Sequence, residues 1–213
     1  MRKFYFLFLI LVLSNSVFAD TVSDKEKDAL IKINQATNGR DWKIKWDLTA
    51  SVSTWFGVEI NNGNVVGLHL EDNNLKGELP PAIGNLQYLE TLTLFNNQIE
   101  GTLPDSVYEI STLKVLLLNN NKFSGSLSHK IGNFNFLENL SLFDNNFEGE
   151  IPKELENLKY LSEMNLSYNK FKGSVSKKLT LLDSLNMTMF DENRNPFLLD
   201  VNEEKDIMNS TVN

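Results

Sequence analysis

A 24-residue period governs most of this chain. The pattern L-x-x-L-x-L-x-x-N-x-L-x-G recurs without insertion from Val65 to about Asn195, and we call each copy a rung. The six rungs begin at Val65, Leu89, Leu113, Leu137, Leu161 and Leu185. Such a period is typical of a solenoid, in which each unit buries its apolar face only against its neighbours.

Two further columns predict what each rung does locally. The inward pair in the first rung, Leu68 and Leu70, has the two-residue spacing of a short strand with one buried face. An asparagine follows each strand at position 9, where its amide can bond the backbone of a buried turn. The predicted asparagine ladder is Asn73, Asn97, Asn121, Asn145, Asn169 and Asn193. Glycine at position 13 indicates a backbone that needs positive φ or a close approach.

The motif L-x-G-x-[IL]-P-x-x-[IL]-G-x-L, present as Leu75 to Leu86, resembles the plant-type 24-residue subclass of the leucine-rich-repeat family. The resemblance implies an α/β solenoid. Its right-handed coil would have a parallel concave β-sheet, short helical or 3-10 turns on the convex side and a helical N-terminal cap.

The segment around Trp42, followed by W-F-G-V from Trp55, is similar to the N-terminal cap of secreted members of that family. These members include receptor-kinase ectodomains and polygalacturonase inhibitors. Their caps normally carry paired cysteines, whereas this chain has no cysteine. Its stability therefore has to come from packing alone.

Four segments are expected along the chain. They are a signal peptide at 1–19, an N-terminal cap at 20–64, the repeats at 65–195, and a C-terminal cap and tail at 196–213. Arg2 and Lys3 precede an apolar run from Phe4 to Leu13, which is too short to span a membrane and is typical of a signal peptide. A helix is expected to begin at the capping box formed by Ser23 and Glu26.

The signal peptide predicts an exported, secreted or periplasmic protein. No stretch after residue 19 is apolar for long enough to insert into a membrane. Losing residues 1–19 would leave 18 of the 20 basic and all 28 acidic side chains, a formal charge of −10. Such a charge disfavours nucleic acid and anionic lipid as partners. We expect the product to be a monomer.

The outward strand positions predict a ligand-binding face on the concave side. Phe95 and Phe143 share one column two rungs apart, roughly 10 Å at strand spacing, with Leu117 between them. An aromatic cluster within a polar rim is typical of surfaces that bind protein or sugar. The predicted ligand-binding residues are Phe95, Leu117, Phe143, Tyr168, His69 and Asn119. The competing interpretation is that single exposed phenylalanines have no function.

No catalytic residue, metal site or cofactor is predicted. His69 and His129 fall on different parts of the repeat, and no serine or cysteine triad has a candidate geometry. His69, Glu71 and Asp72 are better interpreted as a solvated polar rung than as metal ligands. Four N-x-[ST] sequons predict glycosylation if the source is eukaryotic, at Asn139, Asn165, Asn186 and Asn209.

The sequence therefore predicts a secreted, non-enzymatic binding module that recognises a protein or polysaccharide ligand on the concave face. A structural or surface-coat protein that assembles through its caps or flanks is the alternative. Two function hypotheses rank below these. One is an inhibitor of a secreted glycan-degrading enzyme, suggested by the resemblance to polygalacturonase inhibitors, and the other is a hydrolase.

Overall fold

The computed structural model describes residues 22–182, 188–191 and 193–202. The predicted signal peptide and the sequons at Asn186 and Asn209 lie outside these residues. Among the described helices, none has the length and apolar character needed to cross a membrane.

The N-terminal cap is a helix, Asp24–Ala36, that is tied directly to the first rung. Ser23 caps the helix, since its Oγ accepts from the Glu26 backbone N–H at 3.3 Å and donates to Glu26 Oε2 at 2.8 Å. The other carboxylate oxygen of Glu26 accepts from the Val65 N–H at 3.0 Å. Two 3-10 helices, Gly39–Asp41 and Val52–Thr54, complete the cap. The capping box thus joins the cap to the solenoid as well as beginning the helix.

A six-stranded sheet, which we call the concave sheet, runs the length of the solenoid. Its strands are Val58–Asn61, Asn64–His69, Thr91–Thr93, Val115–Leu117, Asn139–Ser141 and Glu163–Asn165. The first pair is antiparallel and the later pairs are parallel. In the parallel pairs Leu68 lies beside Leu92 and Leu116 beside Leu140, so the register equals the sequence period.

A second, five-stranded parallel sheet was not predicted. Its strands are Lys76–Glu78, Gln98–Thr102, Lys122–Gly125, Asn146–Glu150 and Lys170–Lys172. The glycine column lies in or beside these strands with positive φ throughout, from 76° at Gly125 to 124° at Gly77. Short 3-10 helices follow on the convex side, at Pro81–Asn85, Asp105–Glu109, His129–Asn133 and Lys153–Asn157. The predicted convex turns are therefore confirmed.

One continuous hydrophobic core fills the coil from the cap helix to Leu199. Leu68, like the equivalent strand leucines, is fully buried. The rings of Phe123, Phe147 and Phe171 stack through the core with centroids 6.0 and 6.2 Å apart and planes within 8° of parallel. The prediction of an α/β leucine-rich-repeat solenoid is confirmed by this architecture.

The last rung departs from the predicted phase. The Tyr168 N–H donates to the Thr188 carbonyl, 20 residues ahead, at 2.7 Å, whereas Asn120 donates to Phe143, 23 residues ahead. The stretch that leads from the fifth rung into the sixth is therefore three residues short. Asn193 is exposed, and its backbone N–H bonds Asp191 instead, so its assignment to the ladder was wrong. A shortened rung carries Asn193 past the turn that would have buried it.

The C-terminal end closes with short elements. They are the strand Ser174–Ser176, the helix Lys177–Thr180, and the strands Thr188–Phe190, Pro196–Leu198 and Asp200–Asn202. Ser174–Ser176 pairs in parallel with Asp200–Asn202, and Thr188–Phe190 pairs antiparallel to Pro196–Leu198.

Candidate functional site

The asparagine ladder supports the rim of the concave sheet. Asn97 donates from Nδ2 to the Leu70 and Leu94 carbonyls, both at 2.8 Å, and accepts from the Leu75 N–H at 2.9 Å. The equivalent three bonds recur at Asn121, Asn145 and Asn169. Asn73 bonds Ile44 of the cap instead, at 2.7 Å. These buried amides fix the turn that follows every strand, and so fix the side chains that flank it.

The residue before each ladder asparagine has a left-handed backbone. Asparagine or aspartate, which tolerate this conformation, occupies the position in the first four rungs, at Asp72, Asn96, Asn120 and Asp144. In the fifth rung the residue is Tyr168, with φ of 60°. A bulky side chain there costs about 1–2 kcal/mol, and such strain is often retained at functional sites.

The strained Tyr168 lies between two other rings. Its centroid is 4.9 Å from that of Phe143 and 4.9 Å from that of Phe190, at angles of 39° and 34°. Phe190 reaches Tyr168 because the last rung is short. The three rings form an aromatic row along the edge of the concave sheet.

A groove of about 530 Å³ opens on the concave face across the third to fifth rungs. Leu117, Asn119 and Phe143, which the sequence predicted as ligand-binding residues, line it together. Its polar lining consists mainly of amides and one carboxylate, from Asn119, Asn120, Asn139, Asn165, Ser141 and Glu163. Half-buried apolar side chains thus meet a set of mainly neutral donors and acceptors and one carboxylate.

Hydrogen bonds orient several of these polar groups. Asn139 Nδ2 donates to Glu163 Oε2 at 2.6 Å, and Asn119 Nδ2 donates to Asn120 Oδ1 at 2.9 Å. Asn165 Oδ1 accepts the Ser167 N–H at 3.1 Å. The groove is therefore preorganised by contacts between neighbouring rungs and within them. Asn139 and Asn165 are also the two sequons within the described residues, so glycans there would crowd the groove.

Three of the predicted binding residues do not line this groove: Tyr168, which contacts Phe143 in the aromatic row, and Phe95 and His69, which lie in earlier rungs. Phe95 is half-buried in the second rung and does not line it. His69 belongs to the first rung, where Nδ1 lies 3.3 Å from Thr93 Oγ1 and Nε2 lies 3.6 Å from Glu59 Oε2. His69 and Phe95 therefore form no part of the groove.

Within the described residues, no three side chains of histidine, cysteine, aspartate or glutamate lie close enough together to hold a metal ion.

The predicted ligand-binding residues did not include Asn139, Glu163, Asn165 or Phe190. Asn139, Glu163 and Asn165 occupy outward positions 3 and 5 of their rungs, so the repeat phase already placed them on the concave face, and only their part in the groove was not predicted. No comparable signal existed for Phe190, because its contact depends on the shortened rung.

Comparison with known proteins identifies the repeats. The family profile described as a leucine-rich repeat region matches residues 67–189. The chain belongs to the leucine-rich-repeat family. This leucine-rich-repeat chain is 30% identical over 99 residues to polygalacturonase inhibitor 2 of Arabidopsis thaliana, covering 43% of the chain and 30% of the inhibitor. It thus spans less than a third of that relative.

Two solved structures from the same plant show the likeness in three dimensions. The ectodomain of the receptor kinase SOBIR1 has a TM-score of 0.62 at 25% identity, over 85% of this leucine-rich-repeat chain and 98% of that one. The HAESA ectodomain, solved with an N-terminally extended IDA peptide hormone ligand, has a TM-score of 0.64 at 25% identity. That match covers 74% of this chain and 27% of HAESA.

Proposed function

We propose that this leucine-rich-repeat chain is a secreted, non-enzymatic binding module that recognises an extended segment of a partner protein. The site is the concave groove of the third to fifth rungs. The observation that carries the proposal is that Leu117, Phe143 and four asparagine side chains line the same groove. The predicted signal peptide at 1–19 supports export.

The chemistry of the groove favours a polypeptide ligand. Side-chain amides both donate and accept, and so match the alternating N–H and C=O groups of an extended backbone. Leu117 and Phe143 are half-buried and provide an apolar anchor for one ligand side chain. The peptide ligand of the HAESA ectodomain supports the same class of partner. Similarity to polygalacturonase inhibitor 2 favours, as a narrower candidate, a segment of a secreted glycan-degrading enzyme.

Selection from a displayed library of random peptides tests the proposal, followed by affinity measurements on the selected peptides. We expect the double variant Leu117→Ala/Phe143→Ala to lose at least about tenfold in affinity, because the apolar anchor is removed. Phe95→Ala is the matched control, since Phe95 is half-buried in the same column as Phe143 but lies outside the groove. Equal affinity in wild type and double variant would place recognition elsewhere.

Tyr168→Asn separates a binding role from a structural one. Asparagine suits the left-handed backbone, so relief of strain offsets the loss of ring contacts, and the free energy of unfolding should change by less than about 1 kcal/mol. If Tyr168 forms a wall of the site, peptide affinity falls while stability holds. A large loss of stability without a change in affinity would show that the ring only packs.

A further inference from the structure

Exposed aromatic rings also lie on another edge of the solenoid, at the last position of successive rungs. Phe136 and Tyr160 end the third and fourth rungs, with 50% and 56% of their surfaces exposed. Their ring centroids are 6.1 Å apart, and the ring planes differ by 20°. Contiguous exposed apolar surface is typical of interaction sites, and the two rings form such a surface across two rungs.

The backbone on both sides of this ring pair is anchored in the core. Phe136 lies between the buried side chains of Phe134 and Leu137. The buried Leu158 likewise precedes Tyr160 by two residues. Because the flanking residues are buried, the backbone is fixed and both rings stay exposed to water.

A small groove of about 240 Å³ accompanies the two rings. Asn135, Asn157 and Lys159 line it beside Phe136 and Tyr160, and no carboxylate is among the described residues that line it. The lining of this groove therefore offers ring surface, amide donors and acceptors, and one ammonium group.

These features suit a sugar polymer. Apolar C–H faces of pyranose rings pack on aromatic side chains, while hydroxyl groups bond amides that both donate and accept. The two ring centroids, 6.1 Å apart, are separated by a distance of the order of one sugar unit in an extended β-1,4-linked chain. A neutral polymer is also not repelled by the net negative charge of this protein.

We propose that the edge formed by Phe136 and Tyr160, with Asn135 and Asn157, binds a neutral, extended polysaccharide. This edge is separate from the concave groove, and its function does not depend on the peptide-binding proposal. A chain lying along the solenoid axis meets an aromatic ring on each of the two rungs and an amide beside each ring.

The protein contains a matched control for this pair. Tyr88 occupies the same position at the end of the first rung and is 55% exposed. The next rung has Thr112 there, whose hydroxyl donates to the Leu89 carbonyl at 2.8 Å, so Tyr88 has no ring beside it in the column. Tyr88→Ala removes an equally exposed ring without touching the pair.

Depletion of the protein from solution by insoluble polysaccharides tests the proposal. The probes are cellulose, chitin and β-1,4-mannan, with granular starch as the coiled α-1,4-linked contrast. We expect wild type and Tyr88→Ala to bind at least one extended polymer, and Phe136→Ala/Tyr160→Ala to bind it at least tenfold more weakly. Circular dichroism and the thermal midpoint should be unchanged in both variants, because all three rings are exposed.

Several results would overturn the proposal. They are no depletion by any of the three extended polymers, equal depletion by the double variant, an equal loss in Tyr88→Ala, or equal binding to starch. Loss of self-association in the double variant without polysaccharide binding would instead identify the edge as a contact between copies. Selected peptides should bind Phe136→Ala/Tyr160→Ala as they bind wild type, so failure here is distinguishable from failure of the concave site.

Discussion

The ladder asparagines from Asn97 to Asn169 each form hydrogen bonds in two neighbouring rungs. Asn121 donates to the carbonyls of Leu94 and Leu118 and accepts from the Ile99 N–H, so one side chain serves three backbone groups. All these groups are buried, where water cannot replace the lost partner. Removing such an amide leaves buried donors and acceptors unpaired, at a cost of about 1–3 kcal/mol for each group.

Asn121→Ala should therefore lower the free energy of unfolding by at least about 2 kcal/mol. Asn193→Ala is the control, because Asn193 has the same sequence phase but is exposed and uses only its backbone N–H. We expect the control to change stability by less than about 0.5 kcal/mol. Urea denaturation measures both, and equal losses in the two variants would contradict this account of the ladder.

At the scale of elements, the glycine column decides how the cap helix meets the first rung. Gly77 has φ of 124°, and a Cβ built there would lie 2.2 Å from the Ala36 carbonyl oxygen at the end of the helix. Gly173, in the same column of the fifth rung, has φ of 87° but meets nothing closer than 3.4 Å. Both glycines have a positive φ, but only at Gly77 would an added Cβ clash with the backbone of the cap helix.

Gly77→Ala should consequently destabilise the protein more than Gly173→Ala does. We expect about 1 kcal/mol from the left-handed backbone in both variants, and a further 1–3 kcal/mol, roughly, from displacement of the cap in Gly77→Ala. Thermal unfolding gives the comparison, and hydrogen exchange of the cap helix locates the damage. Similar losses in the two variants would show that the helix does not press on this glycine.

Across the whole molecule, charged side chains also join consecutive rungs. Lys114 pairs with Glu90 at 2.6 Å, and His129 Nδ1 lies 2.9 Å from Glu154 Oε2. The hydrogen bond from His129 holds the pKa of Glu154 below its usual value of 4.5. Bonds from the Asn195 side chain and backbone likewise lower the pKa of Asp191. Carboxylates with lowered pKa stabilise the fold above their unfolded pKa and lose that contribution as pH falls.

The solenoid should thus be less stable in acid, with its urea midpoint falling as pH drops below about 4. Glu154→Gln cannot titrate, so its midpoint should fall less steeply between pH 5 and 3, approximately the range in which the carboxylate takes up its proton. Both carboxylates are only half-buried, so screening by solvent keeps each contribution small. An identical fall in variant and wild type would exclude Glu154 from the acid response.

Much of the fold follows from the sequence because every inner rung has the same surroundings. Inward leucines such as Leu92 and Leu116 face identical neighbours 24 residues away, so local pattern and tertiary register agree. For the same reason Leu117, Asn119 and Phe143 could be assigned to one face. The second sheet was missed because its short strands have no apolar alternation beyond one buried residue, as in the buried Phe171 between two exposed lysines.

The end of the solenoid and the membership of the groove were decided only by tertiary structure. The sequence keeps asparagine in phase at Asn193, yet the coil is three residues short before it and leaves Asn193 exposed. That slip places Phe190 against Tyr168 and creates the aromatic row. The periodic pattern by itself determined what each inner rung buries. Which outward side chains meet across rungs, and where the coil stops, depend on neighbours that a single repeat does not encode.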